Sequence, residues 1–231
     1  MGLTAERPAA PCGPEAFGAT LERQCIGARR IATGDGLDAC HSQFAIRECR
    51  IDIMALKPQD VYVALKIVAA QADRAPYSQL AAELTMSPSE VHACVQRAQR
   101  SGLLHGPELK NRPNFSALEE FLLHGLKYAF PPERGELTRG VPTSYAAEPL
   151  RSMIGQGNEP APVWPHEQGK QRGVSFEPLY KTAPIAALRD PSFYEYLVLA
   201  DALRDGRVRE RKAAETELRR RLREANERRK P

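Results

Sequence analysis

Apolar residues first recur at helical spacing at Val61, Leu65 and Val68, with Ala64 and Ala72 alongside. Spacings of four and three residues put these on one side of a helix, and Pro58 in its first turn gives up no hydrogen bond. The pattern predicts a helix over 58–72, stopped by Pro76. Leu80, Ala81 and Leu84 predict a short second helix whose free N–H groups Ser78 can cap. A turn at Thr85-Met86 follows. Ser87-Pro88-Ser89-Glu90 then has the form of a capping box with proline in the first-turn slot, and Val91, Val95 and Ala98, with Cys94 beside them, give a third helix its buried stripe. Gly102 suits a left-handed cap, and Leu103-Leu104 can begin a strand.

Farther along, Ser116-Ala117-Leu118-Glu119 predicts a capped helix over Phe115 to Phe130, with Leu118, Phe121, Leu122, Gly125 and Ala129 on one face. Gly125 costs about 1 kcal/mol of helix propensity relative to alanine, which a close helix crossing would offset. Pro131-Pro132 ends this helix. From 131 to 189 the chain is rich in Pro and Gly, and its densest features are Thr138 to Tyr145 and Val163-Trp164-Pro165-His166. A stretch this long without period predicts an irregular segment wrapped over the helical body, pinned by Tyr145, Trp164, Phe176 and Tyr180. Asp190-Pro191 opens another helix carrying Phe193, Leu197 and Ala200, and Gly206 breaks it. The last helix, 207–228, has a thin apolar line of Val208, Leu218, Leu222 and Ala225. Glu215 and Arg219, and Glu217 and Arg221, are spaced for ion pairs along it. Residues 1–53 show no period, hold four of the five cysteines and contain no lysine. They read as a weakly ordered extension, with a start site assigned too early as one source for it.

These segments predict a mainly α protein with a small β wing, organised as 1–53, 54–130, 131–189 and 190–231. Composition narrows the chemistry. The five cysteines are odd in number and lack C-x-x-C spacing, which favours neither a disulfide scaffold nor a zinc finger. His41, His92, His105, His124 and His166 are scattered outside any H-E-x-x-H spacing, and neither a phosphate-cradling glycine loop nor a G-x-S-x-G elbow is present. The expectation is a non-enzyme with no cofactor and no metal. No apolar run approaches the ~18 residues of a membrane span, and the N-terminus lacks the apolar core of a signal peptide, so the chain is expected in the cytoplasm.

The surface of the third helix carries the candidate site. Ser89, His92, Ala93, Gln96, Arg97 and Arg100 fall opposite its apolar stripe, with Ser87 at its start. Small residues near the N-terminal end let a helix sink into a major groove. Serine, histidine and glutamine can bond base edges, and arginines suit phosphates. Charge is modest: residues 54–105 carry five Lys or Arg against four Asp or Glu, whereas 203–231 carry twelve against six. Phosphate neutralisation provides much of duplex affinity, so a dimer or help from the basic tail is implied.

Leu80-Ala81-Ala82-Glu83-Leu84, Ser87-Pro88-Ser89-Glu90-Val91 and Arg100-Ser101-Gly102-Leu103-Leu104 resemble the core of bacterial winged helix-turn-helix regulators, the MarR-like group above all. The resemblance covers about residues 56–127. It implies a transcription regulator that binds double-stranded DNA as a homodimer, with the helix from Ser87 to Ser101 in the major groove and the following hairpin on neighbouring backbone. The pattern departs after Leu104: the family's Asp-x-Arg wing is replaced by His105-Gly106-Pro107-Glu108-Leu109-Lys110-Asn111-Arg112-Pro113, a shortened wing with Lys110 and Arg112 near its tip. Dimers in that group form through terminal helices, which makes 115–130 a candidate, although burial within one chain explains its apolar face equally well. The competing expectation is a winged-helix adaptor, such as the antitoxin-type partner of another protein, with residues 131–189 as the surface for a protein or small effector. Exposure of Gln96, Arg97 and Arg100 favours DNA; their burial favours the adaptor.

Overall fold

Eight consecutive residues, Val61 to Val68, are buried in the first helix, α1 (Pro58–Ala70). A helix apolar on one side only would leave half of these in water, so α1 must be covered all round. It packs against α3 (Pro88–Arg100) and against α8 (Pro191–Asp205) and α9 (Val208–Glu227). The computed structural model describes residues 55–71, 75–106, 111–155 and 159–229, all within the unit Glu48–Pro231. The extension expected over 1–53, with four of the cysteines and His41, lies outside the described residues, as do Ala72 and Lys110.

Two charged side chains inside α1 are kept there by partners. Lys66 bonds Asp190 at 2.7 Å and Glu83 at 2.8 Å, with its ammonium 5.5 Å from the centre of the Phe193 ring. Asp60, fully buried, accepts the Lys57 backbone N–H at 2.8 Å and faces Arg97. The helix ends in a left-handed Gln71, and the Arg229 guanidinium donates to the Ile67 carbonyl at 2.9 Å, which ties the end of α9 to the end of α1.

The short helix α2 (Tyr77–Leu84) begins one residue before Ser78, so Pro76 rather than the serine holds the capping position. Thr85, left-handed at φ 55°, turns the chain into α3. Gly102 has φ 75°, and the N–H groups of Leu103 and Gly102 reach the carbonyls of Ala98 and Gln99 at 2.9 and 3.0 Å, the paired bonds that close a helix through a left-handed residue. The expected wing is reduced among the described residues to one antiparallel bridge, Leu104 with Pro113.

The next helix starts where expected but differs in detail. Asn114, not Ser116, caps α4 (Phe115–Glu120), accepting the Ala117 N–H at 3.4 Å. A π turn, Phe121–Gly125, joins it to α5 (Leu126–Ala129), and the wider turn brings Leu126 onto the buried face of Leu118 and Leu122 while Ala129 is exposed. A side chain on Gly125 would meet the Phe121 ring at 2.9 Å, so the glycine makes room for its own preceding turn rather than for a crossing helix. This helix packs against α8 and α9 of the same chain.

The stretch 131–189, expected to be irregular, instead holds a sheet. β1 (Arg134–Pro142) pairs antiparallel with both β2 (Pro162–Pro165) and β3 (Gln171–Phe176), and β2 and β3 pair in parallel. Gly140 and Gly173 permit that closure: a Cβ on them would lie 2.0 Å from the Trp164 carbonyl oxygen and 1.9 Å from that of Ala161. The two dense sequence features supply Thr138 to Pro142 of β1 and Val163 to Pro165 of β2. Short helices α6 (Leu150–Ile154) and α7 (Ala183–Arg189) complete the region.

A buried polar cluster fastens the sheet to the helices. Asp201 on α8 accepts from Thr143 and Trp164 at 2.8 Å and from Arg204 at 2.9 Å, and Arg204 also donates to the carbonyls of Phe130 and Glu177 at 2.9 Å. Each buried donor is satisfied, which is what lets a charged pair sit in a core. Among the described residues, no helix is long and apolar enough to cross a membrane.

Candidate functional site

Helix α3 is built from its N-terminus by a reciprocal cap. Ser87 Oγ accepts the Glu90 N–H at 3.2 Å while the Glu90 carboxylate accepts the Ser87 N–H at 3.1 Å. Bonds from the Ser87 N–H and from its hydroxyl, at 2.9 Å, hold the Glu90 carboxyl below its ordinary range. Val91, Cys94, Val95 and Ala98 are buried against the core, as their spacing predicts. Burial, with Asp60 beside it, pushes the Cys94 thiol up to about 12, the reverse of an activated thiolate.

The opposite stripe is open. Ser89, His92, Gln96 and Arg100 are exposed, as is Ser87 at the cap, and Ala93 is half-buried at the edge. His92 stacks edge-on against Tyr77 with ring centres 5.2 Å apart, and its Nε2 lies 3.4 Å from Gln96 Nε2. Ring and amide are thereby steadied side by side.

Arg97 does not belong to this stripe. Its Nε and Nη2 both bond the Asp60 carboxylate, the closest contact being 2.7 Å, and only 14 % of its side chain is exposed. At about 100° per residue, Arg97 sits roughly 80° round from Ser89, on the flank toward α1. A buried carboxylate with no other charge partner among the described residues draws in the nearest guanidinium, and the bidentate geometry fixes it there. Arg97, expected on the open stripe, is instead held against Asp60 by this pair.

Each flank of the open stripe has a neighbour. On one side Gln99 donates to Asn111 at 2.7 Å, and the His105 N–H bonds the Arg112 carbonyl at 2.8 Å, which anchors the reduced hairpin. Arg112 is half-buried there. On the other side, Tyr180 donates to Glu90 at 3.2 Å, Thr182 Oγ1 donates to the Leu84 carbonyl at 2.7 Å, and Arg189 donates to Thr85 Oγ1 at 3.4 Å. Lys181 is exposed between them. Sequence reasoning missed Lys181 and Arg189 because no local pattern marks a long-range contact to the α2–α3 turn. Asp60 carried a signal only as a first-turn acid.

The basic tail is less basic than its sequence. On α9, Arg219 pairs with Glu119 and Glu215, Arg220 with Glu217 and Glu224, Arg221 with Glu195 and Glu217, and Arg228 with Glu224. Arg209, Lys212 and Arg223 remain exposed and without ion-pair partners among the described residues. Away from α3, a groove of about 570 Å³ runs between Val141, Pro142, Leu188 and Tyr194, with Arg151 and Lys170 at its rim. Among the described residues no group of three His, Cys, Asp or Glu side chains is placed to hold a metal. Comparison of the chain with protein-family models, curated proteins and solved structures finds no match.

Proposed function

We propose that the chain is a sequence-specific, double-stranded DNA-binding regulator of transcription, a MarR-like winged helix-turn-helix protein acting in the cytoplasm as a homodimer, with α3 as its recognition helix. The observation that carries this reading is the open stripe of Ser89, His92, Gln96 and Arg100 on a helix otherwise held on three sides. A rigid helix presenting hydroxyl, imidazole, amide and guanidinium groups in one line suits base edges and the phosphates beside them. Two copies are part of the proposal because one copy offers few free cations for phosphate.

Removing Arg100 tests it. Arg100→Ala should weaken duplex binding and reduce the salt slope by about 1, whereas Gln96→Ala should shift sequence preference at one base position by about 1–3 kcal/mol. Unchanged binding in both variants overturns the reading. The second reading, a protein-binding adaptor of the antitoxin type, is favoured by the loss of Arg97 and three of the six α9 arginines to internal pairs. Co-purification of a stoichiometric partner that masks Gln96 and Arg100 supports it over DNA.

A further inference from the structure

A helix in a major groove about 12 Å wide has a phosphate backbone on each side. The residues expected to meet those backbones are largely committed elsewhere: Arg97 to Asp60, and the α9 arginines named above to glutamates. Arg112, on the hairpin side, is half-buried. The opposite flank is supplied by the β-containing lobe. Tyr180 and Thr182 fix its loop to Glu90 and Leu84, and that loop holds Lys181 exposed, its ammonium 6.0 Å from the centre of the Tyr180 ring. Arg189, at the end of α7, reaches Thr85 in the turn before α3 and is itself exposed. Of the carboxylates nearby, Asp190 is paired with Lys66, while Glu90, bonded by Ser87 and Tyr180, keeps its charge and is within the electrostatic reach of Lys181. Neither Lys181 nor Arg189 forms an ion pair with a carboxylate among the described residues, so both ends stay available to an outside anion.

Resting on the DNA reading, we infer that Lys181 and Arg189 form a phosphate clamp, through which the second lobe grips the backbone along the N-terminal flank of α3 in place of a full wing. The hydroxyls of Thr85 and Ser89 are near the same end of α3 and can give neutral phosphate bonds beside the charged ones. Contacts of this kind position the helix and carry no base preference.

The test measures binding of the full chain to a short mixed-sequence duplex by fluorescence anisotropy across a salt series. Wild type is compared with Lys181→Gln/Arg189→Gln and with Arg151→Gln/Lys170→Gln, which removes two cations at the distant groove. Circular dichroism confirms that both variants fold, and Lys181→Arg provides a charge-retaining version. The clamp requires the first double variant to weaken binding and flatten the plot of log affinity against log salt by about 2, with Lys181→Arg and the groove variant near wild type. An unchanged slope in the first variant, or an equal loss in the groove variant, overturns the clamp while leaving α3 as the reader. If wild type shows no salt-dependent binding to duplex, the DNA reading itself falls.

Discussion

Helices α3 and α9 are both polar, and they invert what their sequences promise. From Val208 to Glu227, α9 is dense in arginine, yet Arg219, Arg220 and Arg221 each hold two carboxylates. Helix α3 has few charges, one of them locked to Asp60, yet Ser89, His92, Gln96 and Arg100 stand open to a ligand. The difference is in what surrounds each helix. The charges of α9 have glutamates within one turn on the same helix and on α4 and α8, whereas among the described residues no carboxylate pairs with Arg100 or bonds Ser89, His92 or Gln96 on the outer face of α3. Formal charge along a sequence is thus a poor measure of the charge a surface can offer.

The comparison breaks most severely at Arg97. Arg97→Ala leaves the Asp60 carboxylate buried and unpaired, and should cost about 3–5 kcal/mol of stability in urea unfolding. Asp60→Asn combined with Arg97→Gln should recover part of that loss. A variant as stable as wild type would return Arg97 to the surface. Next in size, Trp164→Phe removes one of the three side-chain donors on Asp201 and should cost about 1–3 kcal/mol.

Acid should loosen the paired regions before the open one. A hydrogen bond from Lys66 lowers the Glu83 carboxyl, and one from Arg220 lowers that of Glu217. Burial raises Asp190, but bonds from Lys66 and the Phe193 N–H outweigh it and leave the carboxyl below its usual range. Groups depressed in the folded state add stability that is complete above their unfolded values, 4.5 for glutamate and 3.8 for aspartate, and is lost as pH falls through the folded ones. The melting temperature should therefore drop on acidification below about 4.5. Lys66→Met should shrink that dependence. The smallest effect is expected on α9. Glu217→Gln leaves Arg220 with Glu224 alone and Arg221 with Glu195 alone, and should change stability by about 1 kcal/mol while raising non-specific duplex affinity.

Much of the helical framework was legible. Capping residues and apolar spacing are local, so Ser87, Glu90 and the Val91–Ala98 stripe marked α3 to the residue, and Asp190-Pro191 marked α8. The sheet was not legible because β1 lacks alternation: its first five positions are exposed or half-exposed, and its pairing depends on glycines that read as loop. The polar stripe of α3 was legible as an exposed face, whereas the pairing of Arg97 was not, because its partner, Asp60, lies 37 residues away. Lys181 and Arg189 were beyond any local pattern, since the lobe that delivers them had no predicted structure.

The most direct measurement is selection of bound sequences from a random duplex pool by the purified full chain at low salt. The expected result is a recurring motif that wild type enriches and that His92→Ala and Gln96→Ala change at defined positions. A pool that stays random although the protein retains it, or a protein that retains no duplex, contradicts base reading by α3.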